Sequence, residues 1–204
     1  MLDTRIRRII DPSLDKCGII LSRTGISANR MTVAGFVIGV GAFAALSFGE
    51  YTLGLVLILL NRLADGLDGA IARHEGITDL GGYLDIVLDF IFYALVPLGF
   101  AISEPDYAVA AAFLIVSFVG TGTSFLAFAI MAQKIGISGA GPQRKSLYFL
   151  GGLTEGTETI LVMLLFCLVP DLFVPLAVVF GILCWITTAT RIATAVETFG
   201  NGNT

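Results

Sequence analysis

The chain has 204 residues, of which 56% are hydrophobic and 14% charged, with a formal net charge of −4. A water-soluble domain is about 45–50% apolar and about 25% charged. This composition, with a mean hydropathy of +0.90, excludes a soluble globule, a disordered chain, a collagen-like repeat and a coiled coil. What is left is an all-α integral membrane protein built as a single membrane domain over 1–204, since each crossing uses about 20 residues.

The three cysteines, Cys17, Cys167 and Cys184, have no metal-ligand spacing and form no even disulfide set. They read as small apolar fillers. One histidine, His74, argues against a His-based metal site or a Ser-His-Asp triad. No long basic run points to nucleic acid. Arg5, Arg7 and Arg8 are followed by no apolar stretch with a small-residue cleavage site, so no cleavable signal peptide is expected.

In chain order, 1–30 is the most basic stretch. Pro12 after Asp11 marks a helix start. Leu14, Cys17, Ile20 and Leu21 then recur at helical spacing, which predicts a short amphipathic helix in the membrane interface. The six-helix bundle is expected over 31–197. Its apolar stretches lie at 32–48, 52–73, 80–101, 107–132, 148–168 and 174–196, broken by turn residues such as Gly49-Glu50 and Pro170-Asp171. Gly35-x-x-x-Gly39 in the first span marks a candidate close helix contact.

Charge orients these six spans. All 12 Lys and Arg residues fall in the N-terminus, near residues 75 and 140, at the C-terminus, or at the adjoining helix ends. The three opposite loops carry Glu50, Glu104, Asp106 and Asp171 and no base. By the positive-inside rule both termini are cytosolic, as in a multi-pass protein of a bacterial inner membrane.

Four carboxylates are out of place in such a chain. Asp65 and Asp68 are three residues apart and Asp85 and Asp89 four apart, so each pair shares one helix face. A short loop joins the two helices, and the four groups can converge. A carboxylate inside a span costs about 2.5–3.5 kcal/mol, and four together repel. Arg62 and Arg73 could pair with some of them, and others could be solvated. Divalent cations explain the cluster better, and oxygen-only ligands favour Mg²⁺, Mn²⁺ or Ca²⁺. Two such ions can clamp a phosphoryl group.

The run Asp65-Gly-Leu-Asp68-Gly69-Ala-Ile-Ala72-Arg73, followed by Gly81-Gly-Tyr-Leu-Asp85-Ile-Val-Leu-Asp89, resembles the signature of the CDP-alcohol phosphotransferases, D-x-x-D-G-x-x-A-R then G-x-x-x-D-x-x-x-D. Eight fixed positions match. The intervening gap is seven residues, where eight is commoner in the family. Asn29 and Thr32 are similar to the family's N-x-x-T entry.

The resemblance implies transfer of a phosphatidyl group from CDP-diacylglycerol to the hydroxyl of a small polar alcohol, releasing CMP. It implies two Mg²⁺ or Mn²⁺ ions on Asp65, Asp68, Asp85 and Asp89, with Asp89 also the general base. Asp68, Gly69, Ala72, Arg73, Gly81, Asn29 and Thr32 would bind the CDP moiety. A homodimer is implied in the same way.

The acceptor is less legible. Arg144, Lys145, Glu155 and Arg191 are the candidate contacts, and Lys134 reads as a membrane-edge anchor. Glu155 and Glu158 are expected about 12–20 Å inside the fifth span, at about 1.5 Å per residue. Glycerol 3-phosphate is the preferred acceptor because the pocket offers cations, with serine open. Members that use phosphorylated inositol often resemble a Glu-Arg pair where this chain has Glu155-Gly156. The alternatives of another class are a cation transporter or channel lined by Asp, and an Asp-rich membrane prenyltransferase.

Overall fold

A computed structural model describes residues 2–136 and 152–200, with side chains from residue 12 onward. Every regular element among them is helical. The helices are α1 (Leu2–Arg23), α2 (Ala28–Ser47), α3 (Tyr51–Glu75), α4 (Asp79–Ser103), α5 (Ala108–Lys134), α6 (Gly156–Leu168) and α7 (Phe173–Gly200). Single 3₁₀ turns, Pro105–Tyr107 and Pro170–Leu172, lead into α5 and α7. Proline at the first turn suits a helix entry, because its missing N–H would have had no partner there.

Four of these helices, α2, α4, α5 and α7, are long and apolar enough to cross a membrane. The other two expected spans differ from the standard pattern. α3 has 25 residues but carries Arg62, Asp65, Asp68 and Arg73. α6 has 13 residues, about 20 Å at about 1.5 Å per residue, short for a crossing.

Two expectations need correction. α1 does not start at Pro12; it begins at Leu2 and runs through that proline. A proline removes one backbone hydrogen bond, and here the turns on either side carry the helix past it. The apolar stripe expected on this helix also divides. Leu14 and Gly18 face α3: a Cβ on Gly18 would lie 2.8 Å from Ala70 Cβ, and one on Gly66 would lie 2.7 Å from Leu14 Cδ1. Cys17 and Ile20 are exposed, whereas Cys167 and Cys184 are buried fillers as expected.

The second correction concerns Glu155 and Glu158. Residues 152–155 are not helical. Glu155 is the N-cap of α6 and forms a reciprocal capping box with Glu158 in the first turn. The helix starts late because α7 takes over the preceding backbone. Thr187 Oγ1, fully buried, accepts from Leu153 N (3.1 Å), Thr154 N (3.3 Å) and Thr154 Oγ1 (3.1 Å).

Small residues set the helix spacing near the carboxylates. A Cβ on Gly35 would meet Ala64 Cβ at 3.0 Å, and one on Gly39 would meet Phe92 Cδ2 at 2.7 Å. Gly35 and Gly39 thus let α2 approach α3 and α4 closely, as their spacing suggested. About 15 residues along α4 from Asp85, about 22 Å at about 1.5 Å per residue, an aromatic cluster closes the other end. Phe100 stacks on Tyr51 (5.1 Å between centroids) and on Phe173 (4.6 Å), with Phe166 edge-on.

Candidate active site

α3 and α4 are joined by Gly76, Ile77 and Thr78. Gly76 has φ +110°, a conformation that glycine adopts without the cost of a Cβ. Thr78 caps α4, its side chain accepting from Gly81 N at 3.1 Å. This tight connection turns the chain back on itself and sets the two Asp pairs against each other.

Asp65, Asp68 and Asp85 converge: each offers a carboxylate oxygen within 4.8 Å of the others. Asp68 is buried, and its Oδ2 has no hydrogen-bond partner. A buried carboxylate oxygen without a donor is costly, and a hard cation would satisfy it. Three carboxylates suit Mg²⁺ or Mn²⁺, so these residues fit the metal expected from the sequence.

Asp89 is held differently. Arg62 Nη2 donates to its Oδ1 at 2.7 Å, and Arg62 Nη1 and the Tyr93 hydroxyl donate to its Oδ2 at 3.3 Å each. Arg62 is itself fixed. Its Nε donates to Asn61 Oδ1 at 2.7 Å, and Asn61 Nδ2 donates to Gly35 O at 2.8 Å. Its guanidinium lies over the Phe92 ring, 4.6 Å from the centroid, and Nη1 is 3.7 Å from Asp65 Oδ2. The ion-pair alternative for Arg62 is therefore realised at Asp89. Arg73 instead pairs with Asp15 of α1, at 2.7 Å.

A cleft of about 330 Å³ adjoins the cluster. Asn29, Thr32, Asp68, Gly69, Ala72, Arg73 and Gly81, the residues expected to bind CDP, all line it. Asp68, Asp85 and Thr32 also line the narrower cleft that holds Arg62 and Asp89, so the two spaces share a wall. Asn29 and Gly81 meet across the larger cleft: a Cβ on Gly81 would lie 2.9 Å from Asn29 Oδ1.

Of the acceptor candidates, Arg144 and Lys145 lie outside the described residues. Arg191 Nη1 donates to Thr121 O at 2.9 Å, and its guanidinium is 5.6 Å from the Phe125 ring centroid. Sequence reasoning missed Tyr93, Asn61 and Asp15. Asn61 carried a signal, a polar residue within an apolar run; Tyr93 and Asp15 carried none that distinguished them.

Residues 25–193 match the family described as CDP-alcohol phosphatidyltransferase. The chain belongs to that family. It is 53% identical over 193 residues to the inner membrane protein YnjF of Escherichia coli, covering 94% of each chain. It is 30% identical over 100 residues to the archaetidylinositol phosphate synthase of Pyrococcus horikoshii, covering 48% of this chain and 53% of that one. Its fold is that of the Mycobacterium tuberculosis phosphatidylinositol phosphate synthase. In apo form that structure superposes with a TM-score of 0.65 at 22% identity, covering 90% of this chain and 95% of the other. The same enzyme with CDP-DAG bound superposes with a TM-score of 0.58 at 23% identity, covering 90% of each. Membership of the CDP-alcohol phosphatidyltransferase family makes the chain a phospholipid-synthesising transferase and sets aside the transporter and prenyltransferase alternatives.

Proposed function

We propose that the protein transfers a phosphatidyl group from CDP-diacylglycerol to a small polar alcohol bearing a phosphate, with release of CMP. The observation that carries this reading is the shared wall: Asp68 and Asp85 line both the carboxylate cluster and the cleft of CDP-motif residues. A donor diphosphate in the larger cleft would reach the carboxylates without crossing protein. The relatives support the donor, since the mycobacterial synthase is described with CDP-DAG bound.

In this reading Asn29, Thr32, Gly69, Ala72 and Gly81 bind the CDP moiety, and Arg73 holds the diphosphate as a bidentate cation. Asp65, Asp68 and Asp85 would hold a divalent ion, which when bound would supply positive charge to the diphosphate and to the departing CMP. A second ion, expected from the family resemblance, would need Asp89 as well. Asp89 accepts the proton of the acceptor hydroxyl. The acceptor oxygen then bonds to the β-phosphorus of the donor, and the bond from that phosphorus to CMP breaks, CMP leaving with the electron pair.

In this reading the acceptor enters beside Tyr93 and the start of α6. A Cβ on Gly156 would lie 3.8 Å from the Tyr93 hydroxyl, which links Asp89 to the cap of α6. Arg191 supplies a cation close by, hence the preference for a phosphorylated acceptor, glycerol 3-phosphate first. Inositol phosphate is the class printed for several relatives, and it is the principal competitor. The six-span topology, with the site and both termini cytosolic, accompanies this reading, as does a homodimer.

The test is CMP release by purified protein with CDP-diacylglycerol, Mg²⁺ or Mn²⁺, and a panel of glycerol 3-phosphate, inositol phosphate and serine. Release with one phosphorylated acceptor supports the proposal; release with serine alone corrects the acceptor; no release with any overturns it.

A further inference from the structure

Arg73 lines the cleft of CDP-motif residues, yet one edge of its guanidinium is turned to α1. Nε and Nη2 both donate to Asp15 Oδ1, at 3.1 and 2.7 Å. The third nitrogen lies over α3, since a Cβ on Gly69 would be 3.5 Å from Arg73 Nη1. A helical side chain leans toward the N-terminus of its own helix, so Arg73 folds back over Gly69, which also lines the cleft. Asp15 is not part of that lining; it stands behind Arg73. Its place is fixed by the packing of α1. A Cβ on Gly66 would lie 2.7 Å from Leu14 Cδ1, and one on Gly18 would lie 2.8 Å from Ala70 Cβ and 2.9 Å from the Ala70 carbonyl carbon. These two close contacts are one turn apart on each helix and flank Asp15, so α1 can neither roll nor slide there without a clash.

We propose that Asp15 is a positioning residue for donor recognition: anchored on α1, it holds the Nε–Nη2 edge of Arg73 and leaves the Nη1 side, over Gly69, for the diphosphate of the donor. The inference rests on the proposed donor, CDP-diacylglycerol, and adds to its site a residue and a helix that lie outside the CDP motif. Arg73 is a long side chain at the last turn of α3 and is 42% exposed. Without Asp15 it has to be ordered each time a donor binds, and part of the binding energy goes to that ordering. With Asp15 the guanidinium plane is set beforehand. Repulsion between Asp15 and the diphosphate acts in the opposite direction. It is the weaker effect, because Asp15 is 48% exposed, its charge is screened by solvent and salt, and it already faces the guanidinium.

The test is binding of CDP to the purified full chain in Mg²⁺, measured by titration calorimetry. Asp15→Ala is expected to raise the Kd about fivefold with the melting temperature unchanged, and Asp15→Glu, which keeps an acceptor oxygen, to recover most of that loss. In CMP release the donor KM is expected to rise in the same proportion in Asp15→Ala, with kcat within about twofold of wild type. The deciding comparison is made in Arg73→Ala. There, adding Asp15→Ala is expected to change the Kd for CDP by less than about twofold, because the residue through which Asp15 acts is gone. Equal CDP affinity in Asp15→Ala and wild type overturns the proposal. So does tighter binding, which would make Asp15 a competitor of the donor, and so does a loss as large in the Arg73→Ala background, which would assign Asp15 to the fold. If the wild type binds CDP but releases no CMP with any acceptor, the transfer reading fails on its own, and the CDP series still decides the role of Asp15. A wild type that does not bind CDP overturns both.

Discussion

Arg73, which ends the first half of the CDP motif, is paired with Asp15 of α1, its Nη2 2.7 Å and its Nε 3.1 Å from one carboxylate oxygen. The N-terminal helix thereby reaches the wall of the cleft lined by the CDP-motif residues. Both side chains are roughly half exposed, and ion pairs of that kind contribute at most about 1 kcal/mol. Asp15→Asn is therefore expected to leave the melting temperature nearly unchanged. Arg73→Ala should raise the KM for CDP-diacylglycerol at least about tenfold, the loss of one bidentate charge contact. Equal KM values for Arg73→Ala and wild type would remove Arg73 from the donor site.

Gly39→Ala is expected to destabilise the protein. Its Cβ would lie 2.7 Å from Phe92 Cδ2 and 3.1 Å from Asn61 Nδ2, and overpacking of this kind costs about 1–3 kcal/mol. Those two neighbours are also the ones that seat Arg62, so turnover should fall together with the melting temperature. Gly41→Ala, on the same helix and with only Leu57 Cδ1 at 3.7 Å from its Cβ, is the matched control and should leave both unchanged.

Much of this architecture was legible before any coordinates. Hydropathy located the helices, and the i+3 and i+4 spacing placed Asp65 with Asp68 and Asp85 with Asp89, because helical periodicity is a local property. Five of the seven expected CDP residues, Asp68, Gly69, Ala72, Arg73 and Gly81, line one cleft because they lie on segments joined by the tight α3–α4 turn; Asn29 and Thr32 reach it from α2 by packing. What the chain concealed depends on contacts distant in sequence. Arg62 could be foreseen as an ion-pair candidate, but not its choice of Asp89, which is set by the rotation of α4 against α3. Glu155 was expected deep within a helix, and its position at a cap follows from Thr187, more than thirty residues away. Nothing local signals that a hydroxyl on α7 will accept three hydrogen bonds from the α6 approach.

That arrangement gives a third expectation. Thr187→Val keeps the shape of the side chain but leaves Leu153 N, Thr154 N and Thr154 Oγ1 without their acceptor. Thr154 is buried, and a buried donor left unpaired costs about 1–3 kcal/mol; Leu153 is exposed and adds less. A lowered thermal midpoint is the measurement, and Thr190→Val, at an exposed neighbouring position, should shift it far less.

For the acceptor, Arg191→Leu is expected to raise the KM for a phosphorylated acceptor about tenfold or more while the donor KM stays within about twofold. The Thr121 carbonyl contact is lost as well, so the melting temperature should be recorded in parallel. A donor KM that rises in step with the acceptor KM would place Arg191 in general support of the fold rather than in recognition.

The carboxylate cluster draws its oxygens from two helices joined by only three residues. Sliding α4 past α3 by a single residue's rise, about 1.5 Å, would spoil coordination bonds that span about 2.0–2.6 Å. A bound cation would therefore act as a rivet through both helices. Chelation with EDTA should lower the unfolding temperature of the wild type, and it should do so far less once Asp68 has been changed to Asn.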